Sequence, residues 1–505
     1  MPHPETSARI SNLRKVVELL ATNSEKLIAE WEKLPDDRYP HYGTDIPSHE
    51  AYNAGLVIKA AMGSIEELTS KPTIRLLEVA WSHINARCLH MAAELHVADI
   101  LAEGGDEGVS IDTLSEKIGI EKHKLTRIMR ALASDHIFRQ VGPDSFANNI
   151  ISQAMVDDEP VRSWVALQGL SNFSAVDHLP ATLLDPVAGP SYEVTATAFN
   201  RAVGTELSFF DWLTGKVPAS EATSYYRPAT QHPRYVAHAN GAAKANQAEK
   251  DEELVFRPEE ALFNAAMFGS GRVTGTSHVY DYPWGDLGRN ATVVDVGGGV
   301  GGFAMQLCAA YPSLRFIVQD QPAMIAGAPG VWQETQPGAL ASGRATLMAH
   351  DFFAPNPVKG ADVYWFRHVL HNWPDKDATR ILSGITPSMG PSSRVLLAEH
   401  VTFPPFSSSP PSPPSTTTTN PKAAAATTAP HSPAPAPSPL LANYGRASTF
   451  SNQDDLLMLT LFNSIERTPA EYQSVIEGAG LRLVKIWPCR SPVSIIECRL
   501  AGVSD

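Results

Sequence analysis

The segment VVDVGGGVGG (293–302) constrains this 505-residue chain more than any other. A short β-rich run passes straight into glycines, and the glycines into an apolar helical stretch at 301–311. Glycine tolerates positive φ and lets a backbone approach a ligand closely. A helix N-terminus favours electron-rich oxygens. The same alternation continues downstream. The runs ATVVDV (291–296), RFIVQD (315–320), TLMAHD (346–351), ADVYWF (361–366), RVLLAE (394–399), RLVKIW (482–487) and VSIIEC (493–498) are broken by helical stretches that include 375–385 and 468–479. Strand–helix alternation predicts an α/β fold with a doubly wound, mainly parallel sheet. The last two runs have no helix between them, which predicts an antiparallel edge.

The N-terminal half reads differently. Residues 1–73 form a helical extension: Ile10, Leu13, Val16, Val17, Leu20, Leu27, Ile28 and Trp31 recur at helical spacing, a proline-punctuated link follows at about 35–50, and a helix runs to about 70. Residues 74–156 predict helix, turn, helix and wing. The helical stretch 74–104 ends at Gly104-Gly105, Ser110 caps a helix that Gly119 closes, a second helix covers 121–134, and GPDS (142–145) turns a hairpin flanked by Phe138, Val141 and Phe146. Such a unit serves DNA recognition or dimerisation. Its second helix carries Lys122, Lys124, Arg127 and Arg130, but the chain as a whole holds 40 basic and 54 acidic residues, net −14. That balance opposes nucleic-acid and anionic-membrane partners, so the basic residues read as a solvated face.

Residues 157–275 read as mostly helical, with turns at 185–190 and 226–234. Their aromatics (Phe209, Phe210, Trp212, Tyr225, Tyr226, Phe263, Phe268) read mainly as core, with a share lining an apolar substrate pocket. Residues 276–502 hold the sheet. Within them, 403–439 contains 12 Pro, 7 Ser, 6 Thr and 7 Ala, with Lys422 the sole formal charge. Such a stretch buries too little apolar surface to offset its ordering entropy, so it reads as a disordered insert. Four cysteines without a CxxC motif, no signal pattern and no apolar run near 18 residues suggest a cytoplasmic protein with no membrane span.

The candidate site residues stand at strand ends, where ligands bind in such sheets. Gly297, Gly299 and Gly302 satisfy GxGxxG, and Gly298 lies among them. Asp295 precedes them and can face a cationic ligand. Asp320 closes the next strand and suits a ribose diol of NAD or S-adenosylmethionine (SAM). Asp351 and Phe352 follow the third strand as an acid–aromatic pair. The fourth leads into RHVLHNWPD (367–375), whose His371, beside Trp373, reads as a general base with His368 as competitor. Glu399 ends the fifth strand. Glu466 lies in FNSIERTPAEY (462–472), as a rim carboxylate or simply part of a helix first turn.

Taken in order, VVDVGGGVGG, IVQDQP, HDFF, FRHVLHNWPD, LLAEH and LFNSIERTPAEY resemble the plant-and-fungal type of SAM-dependent O-methyltransferases, the caffeic-acid and polyketide group. The upstream unit is similar to that family's winged-helix dimerisation domain, and LLANYGRA (440–447) is closer to the fungal branch. The likeness covers about 75–502 outside the insert. It implies a Rossmann-like SAM-binding sheet, a homodimer and a small aromatic acceptor. It also implies roles: Gly297 to Gly299 around the methionyl part, Asp320 on the ribose, Asp351 and Phe352 on the adenosine, Arg367 near the adenine or methionyl end, and Trp373 packed on the cofactor. His371 would be the general base flanked by Glu399 and Glu466, and Met267 and Met458 would clamp the acceptor. The plant enzymes usually carry Lys at Arg367, Met at Phe352 and an acid at Asn372.

The chemistry is physically sound. A phenol titrates near ~10 and imidazole near ~6.5, so full proton transfer costs roughly 5 kcal/mol, which two neighbouring carboxylates reduce. No metal is expected, and no compact Asp/His cluster is visible to hold one. Two other readings remain at this stage: an NAD(P)-dependent oxidoreductase built on GxGxxG, and a non-catalytic winged-helix regulator.

Overall fold

The computed structural model describes residues 4–34, 46–219, 222, 253–406 and 435–502. Most of the link at 35–50, the turn at 226–234, Tyr225, Tyr226 and residues 407–434 of the insert lie outside the described residues. The chain divides into two units. One comprises Met1–Lys71, Thr274–Leu459 and Asn463–Asp505 (the sheet unit); the other comprises Pro72–Val273 with Thr460–Phe462 (the winged unit).

In the winged unit, β1 (Val109–Ser110), β2 (Phe138–Gly142) and β3 (Ser145–Asn148) form a sheet in the order β1-β3-β2. Ser110 caps the helix Ile111–Ile118 by accepting from the Thr113 N–H at 3.1 Å, and Gly119 closes it at φ 82°. Both are as the sequence predicts. The helix Lys122–Ser134 then packs Leu125, Met129 and Leu132 against Phe138 and Phe146. Downstream, Phe199, Phe209, Phe210, Trp212 and Phe462 form an aromatic cluster, with Phe210 and Phe462 stacked at 5.4 Å. A short antiparallel pair, β4 (Lys216–Pro218) and β5 (Leu254–Phe256), was not anticipated in this mostly helical region. The helix Pro72–Glu94 leaves Leu76 71% and Trp81 60% exposed, with Ile74, Val79 and Ile84 also exposed.

In the sheet unit, β6 (Thr292–Val296), β7 (Arg315–Asp320), β8 (Ala345–Ala349), β9 (Val363–Arg367), β10 (Arg394–His400), β11 (Leu481–Trp487) and β12 (Val493–Leu500) make one sheet, ordered β11-β12-β10-β9-β6-β7-β8. From β8 to β10 the strands are parallel, while β12 pairs antiparallel with both β10 and β11. The strand order reverses between β6 and β9, which opens a ligand crevice at their carboxyl ends. Successive side chains alternate faces. Val293, Phe316, Val318 and Trp365 pack with Phe303, Leu307 and Trp332 on one side. Val294, Val296, Tyr364, Phe366 and Leu397 pack with Ile381, Leu382, Tyr472 and Ile476 on the other. Burying each large side chain contributes roughly 1.5–3 kcal/mol.

The N-terminal helices Pro4–Trp31 and His49–Thr69 belong to this unit. Val16, Val57, Ala60 and Ala61 pack against Ala436 and Leu440, just where the insert returns. The Ala442 N–H donates to the Pro405 carbonyl at 3.0 Å, so the described chain on the two sides of residues 407–434 meets at one place. Among the described residues, no helix is long and apolar enough to cross a membrane.

Candidate active site

The glycine loop begins at the end of β6. Gly297 (φ 69°) and Gly299 (φ 61°) are left-handed. A Cβ at Gly297 would lie 2.9 Å from Val369 Cγ2, and one at Gly298 would lie 2.5 Å from the Asp295 carboxyl carbon. Gly301, which the GxGxxG spacing passes over, has φ 92° at the start of the helix Gly302–Ala310, and a Cβ there would meet Trp332 Nε1 at 2.8 Å. Gly302 has open space around it. The spacing found the loop but picked a glycine that the geometry does not require.

Asp320 organises this loop. Its Oδ2 accepts from the Gly299 N–H and its Oδ1 from the Gln321 N–H, both at 2.7 Å. Burial holds its carboxyl above the ordinary value. Each oxygen keeps a second lone pair for a ligand hydroxyl. Asp295 is 3% exposed, and its Oδ2 has no hydrogen-bond partner. Burial pushes its carboxyl up to about 7 against the opposing pull of Arg367. Arg367 ends β9 with its guanidinium 5.6 Å from the Phe303 ring centre. It also lies against the buried Gly275, where a Cβ would come within 2.1 Å of Nη1. The third strand stops at Ala349 instead of reaching Asp351, because Asp351 turns the chain: its Oδ1 accepts from the Phe353 N–H at 2.9 Å. Phe352 sits 6.0 Å and Phe353 4.7 Å from the Trp373 ring.

His371 stands on a 3₁₀ turn, Leu370–Asn372, just past β9. It is 7% exposed, and its Nδ1 lies 2.6 Å from Glu466 Oε1. Glu399 does not bond the ring. Its Oε1 accepts from the Val369 and Leu370 N–H groups at 3.0 and 2.8 Å, so it caps the turn that carries the histidine. Burial alone would lower the imidazole pKa, but Glu466 and Glu399 outweigh it and hold the ring above its ordinary value. Glu466 is itself raised by burial, against the attraction of His371. The first-turn reading of Glu466 falls away: Thr468 caps the helix Pro469–Gly478 in a capping box with Glu471. His368, the competitor, adopts φ 51° and has an unpartnered Nε2, and burial drives its pKa well down. Asn372 donates to the His368 carbonyl at 3.0 Å.

Several functional neighbours escaped sequence reasoning. Arg467, fully buried, donates to the Leu370 carbonyl (3.0 Å), the Trp373 carbonyl (2.7 Å) and Asp375 Oδ1 (2.8 Å), clamping the chain on both sides of His371. Asp455 Oδ1 accepts from the Glu466 N–H at 2.8 Å. Asp454 Oδ2 lies 3.5 Å from His400 Nε2. The adjacency of Arg467 to Glu466 was the one available signal; the others are distant in sequence. The expectation that no compact acid–histidine cluster exists is also corrected. His371, Asp454 and Glu466 bring ligating atoms within 4.8 Å of one another, and so do His368, His371 and Glu399. Spacing could not show this, because four separate segments supply the residues. Met458, 5% exposed, lies in the sheet unit on the helix Thr449–Phe462. Met267 is 39% exposed and belongs to the winged unit.

A glycine cradle, a buried carboxylate with a free oxygen and an acid with spare lone pairs fit a ligand with a cationic end and a ribose. Family comparison agrees. Residues 230–417 match the O-methyltransferase domain model, and residues 77–158 the O-methyltransferase dimerisation domain model. The chain is 42% identical to O-methyltransferase tpcA of Aspergillus fumigatus, covering 98% of each chain. It is 41% identical to O-methyltransferase gedA of Aspergillus terreus, covering 98% of this chain and 97% of that one. Among solved structures, the mitomycin 7-O-methyltransferase MmcR matches with TM-score 0.57 and 25% identity, over 88% of this chain and 99% of that chain. The chain belongs to the plant-and-fungal family of SAM-dependent O-methyltransferases, of the secondary-metabolite type, and SAM is its cofactor. The oxidoreductase and regulator readings are thereby set aside.

Proposed function

We propose that this enzyme methylates a phenolic hydroxyl of a small aromatic or polyketide-type metabolite, with His371 as general base. The observation that carries this reading is the buried His371–Glu466 pair at 2.6 Å, just beyond the carboxyl end of β9. Bound SAM supplies an electrophilic methyl group on a sulfonium. Glu466 accepts the Nδ1 proton of His371 and so leaves the Nε2 lone pair to take the hydroxyl proton. Glu399 and Arg467 fix the turn. The raised imidazole pKa narrows the gap to a phenol at about 10, whereas an unactivated alcohol lies far outside its reach.

Gly297 to Gly299 and Asp320 would hold the methionyl and ribose parts; Asp351, Phe352, Arg367 and Trp373 would hold the rest. The family likeness assigns Met267 and Met458 to the acceptor. The exposed apolar face of Pro72–Glu94 and the matched dimerisation domain support a homodimer. Four unpaired cysteines support a cytoplasmic enzyme. The test is calorimetry and a methyl-transfer assay with phenolic acceptors. Asp320→Ala should weaken SAM binding. His371→Ala should keep SAM affinity and lose about 10²–10⁴-fold in turnover. Unchanged turnover in His371→Ala would refute the base assignment.

A further inference from the structure

The groups around His371 exceed what one proton transfer uses. Glu466 and Glu399 are 1% and 0% exposed, and the Oε2 of each has no hydrogen-bond partner. Buried carboxylate oxygens are normally satisfied, and an unpaired one favours a cation. Asp454 completes a triad with His371 and Glu466 whose ligating atoms lie within 4.8 Å of one another.

We propose that this triad is an inhibitory site for a divalent d-block cation such as Zn²⁺ or Co²⁺. One imidazole and two carboxylates neutralise the ion, and this mixed nitrogen–oxygen set suits borderline metals better than Mg²⁺ or Ca²⁺, which prefer all-oxygen sites. Ligands bonded at about 2.0–2.1 Å stand roughly 3.3 Å apart around a tetrahedral ion. The 2.6 Å His371–Glu466 contact is shorter than that, so the ion enters by parting the pair and replacing the proton it shares. That proton leaves to solvent from an imidazolium, or passes to Nε2 from a neutral ring. A neutral imidazole metallated at Nδ1 carries its hydrogen on Nε2, the atom that must accept the hydroxyl proton. Metallated His371 is therefore no longer a base, while the glycine loop and Asp320 are untouched. His400 Nε2, 3.5 Å from Asp454 Oδ2, orients the third ligand.

The inhibitory half of this proposal rests on the base reading of His371; the binding half does not. The experiment loads the full chain with Co²⁺ and records its d–d absorption, together with SAM affinity by calorimetry as the control for folding. One Co²⁺ per chain is expected, without thiolate charge-transfer bands. Asp454→Asn and Glu466→Gln should each weaken it by about tenfold or more, with SAM affinity retained. X-ray absorption of the Zn²⁺-loaded wild type, which depends on no variant, should show one imidazole and two carboxylates. No Co²⁺ binding, sulfur ligation, or two imidazoles with loss in His368→Gln but not in Asp454→Asn would overturn the proposal. If His371→Ala kept its turnover, the base reading would fail while the Co²⁺ spectrum still decided the site.

Discussion

The two units treat buried charge in opposite ways. The sheet unit encloses Asp295, Glu399, His400, Glu466 and Arg467 at 3% exposure or less. The winged unit encloses an apolar core around Leu101, Leu114, Met129, Phe138 and Phe146, and among its described residues the most buried Asp, Glu, His, Lys and Arg side chains, His90, Arg162 and Glu259, remain 7%, 8% and 8% exposed. It puts its surplus hydrophobicity outside, on Pro72–Glu94. Burying a charge costs several kcal/mol unless it is paired, so a fold retains such groups where chemistry needs them. Apolar surface left in water is retained where another surface covers it. One unit is organised for a reaction, the other for association.

The sharpest way to break this comparison is Glu466→Gln. His371 is held above its ordinary pKa, so its base form appears, and kcat/KM rises, as pH rises through that raised value. Gln keeps an acceptor but removes the charge. Activity should drop about 10²-fold, and the rising limb of the pH profile should move to lower pH. A profile that stays in place would show that the carboxylate does not govern the imidazole.

Next is Arg467→Ala. It strands the Leu370 and Trp373 carbonyls, at about 1–3 kcal/mol each, while Asp375, 63% exposed, is left in water. Chemical denaturation should show a loss of roughly 2–6 kcal/mol, and turnover should fall more than SAM affinity. Equal losses in both would make Arg467 a general scaffold residue. A smaller effect is expected at Gly301, where Ala must adopt φ 92° and crowd Trp332. Thermal melts should report about 2 kcal/mol, and Gly302→Ala, with open space, should cost little.

The smallest effect on folding should come from the winged unit. Leu76→Asp with Trp81→Asp alters residues already 71% and 60% exposed, so the melting temperature of a monomer should barely move. Sedimentation should nevertheless show the dimer replaced by monomer. A persistent dimer would mean that another face carries the association.

Much of this architecture was legible along the chain. Seven strand runs were visible, the five parallel ones because parallel strands covered on both faces read as near-continuous apolar stretches. Ser110, Gly119 and the GPDS turn spoke through local backbone chemistry. Errors arose where a side chain acts on a neighbour. Asp351 looked like the last residue of a strand but bends the chain two residues beyond it. Glu399 acts on the imidazole through its charge, as expected, but its hydrogen bonds go to the turn beneath the ring, which sequence reading did not show.

By itself the sequence determined the strands, the caps, the glycine loop and the order of motifs, because these depend on periodicity and on contacts a few residues apart. The family resemblance put Glu399 and Glu466 beside His371; only the tertiary structure decided which of them touches the ring and what clamps its turn. Glu466 lies 95 residues away along the chain, and Arg467 reaches back 97 residues to the Leu370 carbonyl. Burial, which sets the proton affinity of every group there, exists only once the sheet and its helices have closed over them.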